Sequence, residues 1–241
     1  MNKLEFRASF RIVLCQTSHP GNIGAAARAM KTMGLSQLVL VKPKKFPHPE
    51  AEAMASGAND ILAQARLCET LQEALSGCAL VVGVSARKRE LSHESVSARE
   101  AARRMTALEK GAHAALVFGA ETSGLSNAEL IQCQLLASIP ANPEYSSLNL
   151  AAAVQVLAYE LRVASLAPPI DSAVAFPLAT HDEIEGFFAH LENTLVASGF
   201  LDPAKPRRLM PRLRRLFVRA RLEKEEVNIL RGILKAVQPR K

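Results

Sequence analysis

An uninterrupted apolar run at residues 79–84, ALVVGV, constrains the fold of this chain more than any other stretch. A strand that has no polar face must be covered on both sides, which is typical of parallel sheets flanked by helices. Segments with helical patterns separate this run from similar apolar runs at residues 10–15, 37–42, 114–118 and 135–139. The alternation predicts right-handed crossovers and an α/β fold, a mostly parallel sheet with helices on both faces.

Capping residues mark where several of the intervening helices begin. A Ser or Thr followed three residues later by Glu forms a capping box, in which each side chain binds a free backbone N–H group. The chain has this pair at Thr70 and Glu73, Ser97 and Glu100, Ser126 and Glu129, and Thr180 and Glu183. We also expect Asn22 to cap a helix that begins at Ile23. Asn149 is expected to cap a long apolar helix, LAAAVQVLAYELRV.

Composition limits the class of protein. Of the 241 residues, 49% are hydrophobic and 22% are charged, which suffices for a buried core. The four cysteines occur singly, without a CxxC pair or a histidine at ligand spacing, so we expect reduced thiols and no metal site. Charged residues interrupt the N-terminal segment, MNKLEFRASFRIVL, so the sequence predicts a cytoplasmic protein without a signal peptide or a membrane span.

A change in composition divides the chain. Three prolines and the loss of periodicity mark a linker, which we place at residues 167–179, between a domain of residues 1–166 and a helical extension of residues 180–241. From Lys205 onward the chain has thirteen Lys or Arg residues against three Glu residues, a local charge of +10, whereas the first 204 residues sum to −3. The excess of basic residues therefore lies in this C-terminal segment. A net charge of this sign indicates an anionic partner.

The basic extension has a helical pattern. Four apolar residues share one face of the predicted helix: Leu209, Leu213, Leu216 and Phe217. Four arginines form a row at the same spacing: Arg208, Arg212, Arg215 and Arg219. A solvated helix face is the simpler interpretation, but seven arginines between Arg207 and Arg221, with no acid in that segment, favour contacts with RNA phosphates.

Three polar loops follow apolar strands of the predicted sheet. Ligands of open parallel sheets bind outside the carboxyl ends of the strands, where such loops meet. The first loop leads to Asn22 and Arg28 in the first turns of a helix, where free N–H groups favour an anion. The second, GAETSGLS, carries Glu121 between two glycines, and the third, residues 139–149, concentrates Asn, Tyr and Ser. An ordinary cap, a surface arginine and a solvated acid are the simpler interpretations.

Several common catalytic motifs are absent from the sequence. It has no GxGxxG after a strand, no Walker A sequence, no HExxH and no GxSxG. Dinucleotide-binding, P-loop and zinc-protease interpretations therefore lose their main support.

Three segments of the chain, NIGAAARAM, FGAETSGL and NPEYSSLNLAAAVQV, resemble the signature motifs of the SpoU branch of the SPOUT superfamily. Members of this branch are S-adenosylmethionine-dependent RNA ribose 2'-O-methyltransferases, and the similarity covers about residues 11–166. Within the branch, the chain is most similar to bacterial tRNA (cytidine/uridine-32)-2'-O-methyltransferases, which also carry a C-terminal helical extension. The resemblance implies a trefoil-knotted SPOUT fold, a homodimer through the helix starting at Asn149, and tRNA as substrate.

The resemblance also implies roles for individual residues. The cofactor-binding positions of the family correspond to Val84, Ser85, Ala86, Gly119, Ile139, Ser146, Ser147 and Leu148. Its catalytic and substrate positions correspond to Asn22, Arg28, Glu121, Ser147 and Asn149. Arg28 and the arginine row of the extension are the expected RNA-binding residues. The chain departs from close relatives at Ala120, where an arginine is usual, so an RNA contact by that arginine is lost or supplied elsewhere.

Two other functions share these features. A ribosomal RNA 2'-O-methyltransferase would carry the same motifs. A non-catalytic RNA-binding protein with the same fold would not bind the cofactor.

Overall fold

The computed structural model describes residues 6, 8–86, 94–166 and 177–238. The chain divides into two compact units. One consists of residues 1–75 and 80–172, and the other of residues 76–79 and 173–241. The first unit contains the candidate site, and the second contains the basic extension.

Seven strands form one sheet in the order β3-β2-β1-β6-β4-β7-β5. The strands are β1 (Ser9–Cys15), β2 (Gln37–Val41), β3 (Arg66–Cys68), β4 (Cys78–Val84), β5 (Glu94–Ser97), β6 (His113–Phe118) and β7 (Leu135–Ser138). Strand β1 is parallel to both of its neighbours, and β7 is parallel to both β4 and β5. In the centre of the sheet Val13 pairs with Val39 and Val117, and all three side chains are buried. The prediction of a parallel α/β fold is confirmed.

Seven helices accompany the sheet in the described part of the first unit. They are α1 (Pro20–Thr32), α2 (Pro49–Ala55), α3 (Asn59–Ala63), α4 (Leu71–Leu75), α5 (Ala98–Thr106), α6 (Asn127–Leu130) and α7 (Leu150–Leu166). Helix α7 packs against α1 and α5 through buried residues that include Val154, Leu157 and Leu161. Helices α1 and α2 approach so closely that a Cβ atom at Gly24 would lie 2.0 Å from the carbonyl oxygen of Ala51. Gly24 therefore permits the contact between these two helices.

The start of α1 differs from the prediction. The helix begins at Pro20 instead of Ile23, and Asn22 lies inside its first turn, so the prediction that Asn22 caps the helix is wrong. Proline favours the first helical position because its ring fixes φ and its missing N–H group needs no partner there. The side chain of Asn22 is thereby free for contacts outside the helix.

Two short elements escape the sequence pattern. Residues of β5, ESVS, have too few apolar side chains to indicate a strand. The five-residue helix α3 was not predicted either. The crossover from β4 to β5 includes residues 87–93, which lie outside the described part of the chain, so the trefoil knot stays a prediction.

The second unit contains α8 (His181–Ala197), α9 (Leu209–Ala220) and α10 (Lys224–Val237). Its hydrophobic core includes the buried residues Ala179, Phe187, Phe188, Leu191, Leu222 and Val227. The rings of Phe187 and Phe217 meet edge to face with their centroids 4.9 Å apart. Of the predicted linker, residues 167–176 lie outside the described part of the chain, while Ala179 is buried in this core.

The apolar side of α9 differs from the predicted face. Leu213 and Phe217 pack against the core of the second unit together with Met210, whereas Leu216 is 50% exposed.

Among the described residues, no helix combines the length and the apolar character that a membrane span requires.

Candidate active site

A cavity of about 370 Å³ lies outside the carboxyl ends of the central strands. This volume is in the range of small-molecule binding sites. The lining comes from the loops after four strands: His19 and Asn22 after β1, residues 84–86 at the end of β4, residues 118–124 after β6, and Ile139, residues 146–150 and Ala153 after β7. Loops far apart in sequence meet here because parallel strands place all their carboxyl ends at one edge.

Two glycines shape the loop after β6. A Cβ atom at Gly119 would lie 2.1 Å from the carbonyl carbon of Gly124, because the loop folds back on itself. The backbone N–H of Gly124 donates to the carbonyl of Ala120 at 2.8 Å, and Gly124 has φ of +66°. Glycine adopts this left-handed conformation at little cost. The tight turn points the side chain of Glu121 toward the loop after β1.

The carboxylate of Glu121 accepts four hydrogen bonds. One oxygen accepts from the backbone N–H (3.0 Å) and the hydroxyl (2.8 Å) of Ser18. The other accepts from the backbone N–H of His19 (3.1 Å) and the side-chain amide of Asn22 (3.0 Å). Burial by itself would raise the pKa of this carboxyl, but the donors of Ser18 and Asn22 outweigh it and lower the pKa to about 2. Glu121 is therefore an ionised anchor for the β1–α1 loop.

Hydrogen bonds extend from Glu121 to the start of α7. The amide nitrogen of Asn149 donates to the side-chain oxygen of Asn22 at 2.9 Å. The side-chain oxygen of Asn149 accepts from the backbone N–H of Ala151 at 2.9 Å, so Asn149 caps α7 as expected. Because Asn22 donates to Glu121, its oxygen must face Asn149, and each amide has a single consistent orientation.

The predicted cofactor-binding residues gather in one place. All eight line the cavity: Val84, Ser85, Ala86, Gly119, Ile139, Ser146, Ser147 and Leu148. Of the predicted catalytic residues, Asn22, Glu121, Ser147 and Asn149 line it as well. Arg28 does not, and it lies exposed in the third turn of α1.

Ser18 and His19 escaped the sequence prediction. His19 lines the cavity, and its backbone N–H donates to Glu121. The signal that could have identified both residues is their place in the turn directly after a buried strand. Ala120, where the resemblance implied an arginine, also lines the cavity.

The four cysteine thiols are not positioned to react. Cys15, Cys68, Cys78 and Cys133 are buried free thiols. Burial raises the pKa of Cys133 to about 12, with a further contribution from Glu129, so this thiol stays protonated and is a poor nucleophile. No group of three or more His, Cys, Asp or Glu residues within the described ranges is arranged to hold a metal ion.

The lining of the cavity suits a cofactor that carries both apolar and charged parts. Val84, Phe118, Ile139 and Leu148 supply apolar surface. Gly119 and the two serines at 146 and 147 supply small side chains and accessible backbone groups. A site of this composition fits S-adenosylmethionine, which has an aromatic base, a ribose and a zwitterionic tail.

Comparisons with known proteins agree with these features. The tRNA (cytidine/uridine/adenosine-2'-O-)-methyltransferase TrmJ of Pseudomonas aeruginosa is 55% identical over 239 residues, which cover 95% of this chain and 93% of that protein. The tRNA (cytidine/uridine-2'-O-)-methyltransferase TrmJ of Pectobacterium atrosepticum is 51% identical over 235 residues, covering 95% and 97%. The crystal structure of TrmJ from Zymomonas mobilis ZM4 superposes with a TM-score of 0.83 at 34% identity, covering 94% of this chain and 98% of that one.

Two family models match consecutive parts of the chain. The model of the C-terminal domain of tRNA methyltransferase TrmJ matches residues 182–241. The model described as the SpoU rRNA methylase family matches residues 9–159, which is more than half of the chain and includes every residue of the cavity lining. By this match and by its identity to the relatives above, the chain belongs to the SpoU methylase family.

Proposed function

We propose that this protein transfers a methyl group from S-adenosylmethionine to a ribose 2'-OH of tRNA, at a cytidine or uridine at position 32 in the anticodon loop. The observation that carries the proposal is the cavity in which the predicted cofactor loops meet the chain of hydrogen bonds from Glu121 through Asn22 to Asn149. Two TrmJ tRNA methyltransferases that are at least 51% identical support tRNA as the substrate. The enzyme would act in the cytoplasm.

The residues around the cavity would bind and orient the reactants. The loops at 84–86 and 146–148, with Gly119 and Ile139, would hold the cofactor. The bound cofactor supplies an activated methyl group on a sulfonium centre, so the protein must mainly align the ribose hydroxyl and assist loss of its proton. Asn22 and Ser147 lie where they can orient that hydroxyl. Glu121, which takes up four donors, keeps Asn22 in position.

Arg28 has a different task in this proposal. A guanidinium group keeps its proton under physiological conditions, so it is unsuited to accept one. Since Arg28 is exposed on α1 and outside the cavity lining, we assign it to the phosphate next to the target ribose. A guanidinium can bind two phosphate oxygens at once, whereas an ammonium acts as a point charge.

Substitution of Arg28 by lysine tests this assignment. We expect Arg28→Lys to lower the rate of methyl transfer by about tenfold or more, because lysine keeps the charge but cannot bind two phosphate oxygens side by side. The rate is measured with radiolabelled cofactor and tRNA over a range of pH. Near-full activity with an unchanged pH dependence would argue against this two-oxygen binding.

We further propose a homodimer through α7. Its buried side covers the chain's own α1 and α5, while Tyr159, Val163 and Leu166 are 52%, 42% and 56% exposed. These three residues follow one another at helical spacing and form an apolar face. A second copy of the chain would cover this face, since most soluble oligomers are symmetric dimers.

Two measurements separate the proposed function from its alternatives. Isothermal titration with S-adenosylhomocysteine distinguishes an enzyme from a non-catalytic RNA-binding protein, which would show no heat of binding. Mapping of 2'-O-methylated riboses in RNA from a deletion strain then identifies the substrate. Loss of methylation at tRNA position 32 supports the proposal, whereas loss at a ribosomal site would replace it with the ribosomal RNA methyltransferase. The same map shows whether adenosine is accepted, as the name of the Pseudomonas relative states for that protein.

A further inference from the structure

The loop between β2 and α2, residues 42–48, carries three lysines: Lys42, Lys44 and Lys45. We call it the lysine loop. It leaves β2 at the carboxyl end, which is the edge of the sheet where the cavity lies. All three lysine residues are exposed.

Backbone hydrogen bonds fix the lysine loop to the turn between β1 and α1. The N–H of Gln16 donates to the carbonyl of Val41 at 2.8 Å, and the N–H of Lys44 donates to the carbonyl of Thr17 at 3.0 Å. Thr17 directly precedes Ser18, which donates two hydrogen bonds to Glu121. The lysines are thus attached to the same turn that anchors the candidate catalytic residues.

The charges of the lysine loop are unpaired among the described residues, in contrast to several other cations of the first unit. Lys31 binds Asp60, Arg99 binds Glu160, and Arg104 binds Glu94 and Glu100. Lys42, Lys44 and Lys45 form no ion pair with any described carboxylate. Glu50 at the start of α2 lies beside Gly21 of α1 and forms no described pair with them.

The backbone of the lysine loop is restricted before any ligand binds. Two prolines of the loop, at 43 and 47, and Pro49 directly after it fix their φ angles and reduce the conformations open to the segment. Lys42 has φ of +46°, in the left-handed region, and Gln16 at the end of the neighbouring strand has φ of +52°. Non-glycine residues are strained in this region, and strain of this kind often occurs at functional sites.

We propose that the lysine loop is a docking surface for the phosphate backbone of the substrate RNA, next to the nucleotide that enters the cavity. Exposed ammonium groups bind phosphates as point charges and release counterions, which gives affinity without sequence choice. A preordered loop loses little conformational entropy when it binds. The proposal rests on the proposed function and adds a surface of the first unit to the arginine row of the extension.

The test compares the full-length protein with the triple variant Lys42→Gln, Lys44→Gln and Lys45→Gln. Binding of tRNA is measured by fluorescence anisotropy at several salt concentrations. Each cation that no longer neutralises a phosphate reduces the magnitude of the negative slope of log K against log salt by about 0.7–0.9. For the triple variant we therefore expect a slope whose magnitude is smaller by about 2 to 3. Titration with S-adenosylhomocysteine should give the same affinity for both proteins, because the lysines do not line the cavity.

Two control variants sharpen the result. Replacement of the three lysines by arginine keeps the charge and should restore the slope to that of the original protein. Lys110→Gln removes one exposed charge before β6, at the opposite edge of the sheet, and should change the slope less than Lys44→Gln alone. An unchanged slope in the triple glutamine variant, or equal effects of Lys110→Gln and Lys44→Gln, would overturn the proposal.

The same samples separate this inference from the proposed function. If the original protein methylates tRNA and the triple variant binds it with an unchanged salt slope, only the lysine loop is assigned wrongly. If the original protein neither binds S-adenosylhomocysteine nor methylates tRNA, the proposed function fails, and the inference fails with it.

Discussion

At the scale of single residues, Glu121 determines how the site is held together. Its carboxylate is the acceptor for donors that come from two consecutive residues of one turn, Ser18 and His19, and from Asn22 of α1. An ionised acceptor forms stronger hydrogen bonds than a neutral one, and a donor left without a partner costs about 1–3 kcal/mol. The negative charge of Glu121 therefore contributes to both the position of Asn22 and the stability of the first unit.

Replacement of Glu121 by glutamine should destabilise the protein in a pH-dependent manner. Because the pKa of Glu121 is lowered from 4.5 to about 2, its charge stabilises the folded state above pH 4.5, and this stabilisation is lost as the pH falls to 2. The shift corresponds to about 3 kcal/mol, which solvent screening at this partly exposed group reduces to about 1–2 kcal/mol. Chemical denaturation at pH 7 and near pH 2.5 measures the difference between the two proteins. The difference in the free energy of unfolding should be smaller at the lower pH. A difference that is independent of pH would contradict this explanation.

Gly24 offers a second residue-scale prediction. A methyl group at this position would overlap the carbonyl oxygen of Ala51, so Gly24→Ala should reduce the free energy of unfolding by about 1–3 kcal/mol. Gly232→Ala is the matched control, since Gly232 also lies within a helix but has no atom within 4 Å of the added Cβ. The control should be neutral or stabilising by up to about 1 kcal/mol, because alanine favours helices. If Gly24→Ala and Gly232→Ala change the free energy of unfolding equally in denaturant titrations, the close contact between α1 and α2 does not restrict the residue at position 24.

At the scale of elements, the sequence predicts the strands that have a clear apolar pattern. It misses an element that forms mainly through its contacts with another strand. Strands β1, β4 and β6 are mostly apolar, and the sequence located them to within a residue or two. Strand β5 is mostly polar and forms through its pairing with β7, which no local pattern reveals. The sequence motifs likewise indicated which loops form the cavity. They could not show that Arg28 lies outside it, because that depends on the direction in which α1 faces.

Helix α9 shows how tertiary contacts separate two kinds of arginine. Arg208, Arg212, Arg215 and Arg219 are exposed, as the spacing predicted. Arg214 instead binds both carboxylate oxygens of Glu185 on α8, one of them at 2.8 Å, and lies 4.3 Å from the ring centroid of Phe188. The absence of an acid near Arg214 in sequence therefore did not mean the absence of an ion pair.

Replacement of the four exposed arginines by glutamine should weaken tRNA binding and reduce its salt dependence. We expect the magnitude of the negative slope of log K against log salt to decrease by about 0.7–0.9 for each arginine that neutralises a phosphate. The affinity for S-adenosylhomocysteine should stay unchanged. Arg214→Gln is the control on the same helix. It should lower the stability of the second unit by about 1–3 kcal/mol, since Glu185 loses its partner, and leave the salt slope nearly unchanged. An unchanged slope in the quadruple variant would refute phosphate binding by this row.

At the scale of the whole molecule, the chain combines two units with different charge. The first contains the cavity and the exposed apolar face of α7, and the second contains the arginine row. Asn149 would connect cofactor binding to the proposed dimer, because its side chain bonds to Asn22 at the cavity while it caps the helix with the apolar face. Dimer formation and cofactor binding should therefore depend on each other.

Introduction of a charge on the apolar face of α7 tests this dependence. Val163→Glu should yield a monomer and reduce the affinity for S-adenosylhomocysteine by about tenfold or more, because a buried unpaired carboxylate opposes association. Sedimentation velocity and calorimetry measure the two effects. Phe200→Glu is the control, since Phe200 is also exposed and apolar but lies in the second unit. A Val163→Glu protein that is monomeric yet binds the cofactor analogue normally would disconnect the two properties.

The hydrogen bonds of Glu121 and Asn149 also affect the order of events during folding. Ser18 and Glu121 are 103 positions apart in the chain, and Asn22 and Asn149 are 127 apart. Contacts of such sequence separation require closure of long loops, which costs chain entropy, so we expect them to form late in folding. During synthesis the candidate site cannot assemble until the ribosome has released residue 149. A nascent chain shorter than this would contain most of the sheet and yet be unable to complete the cavity.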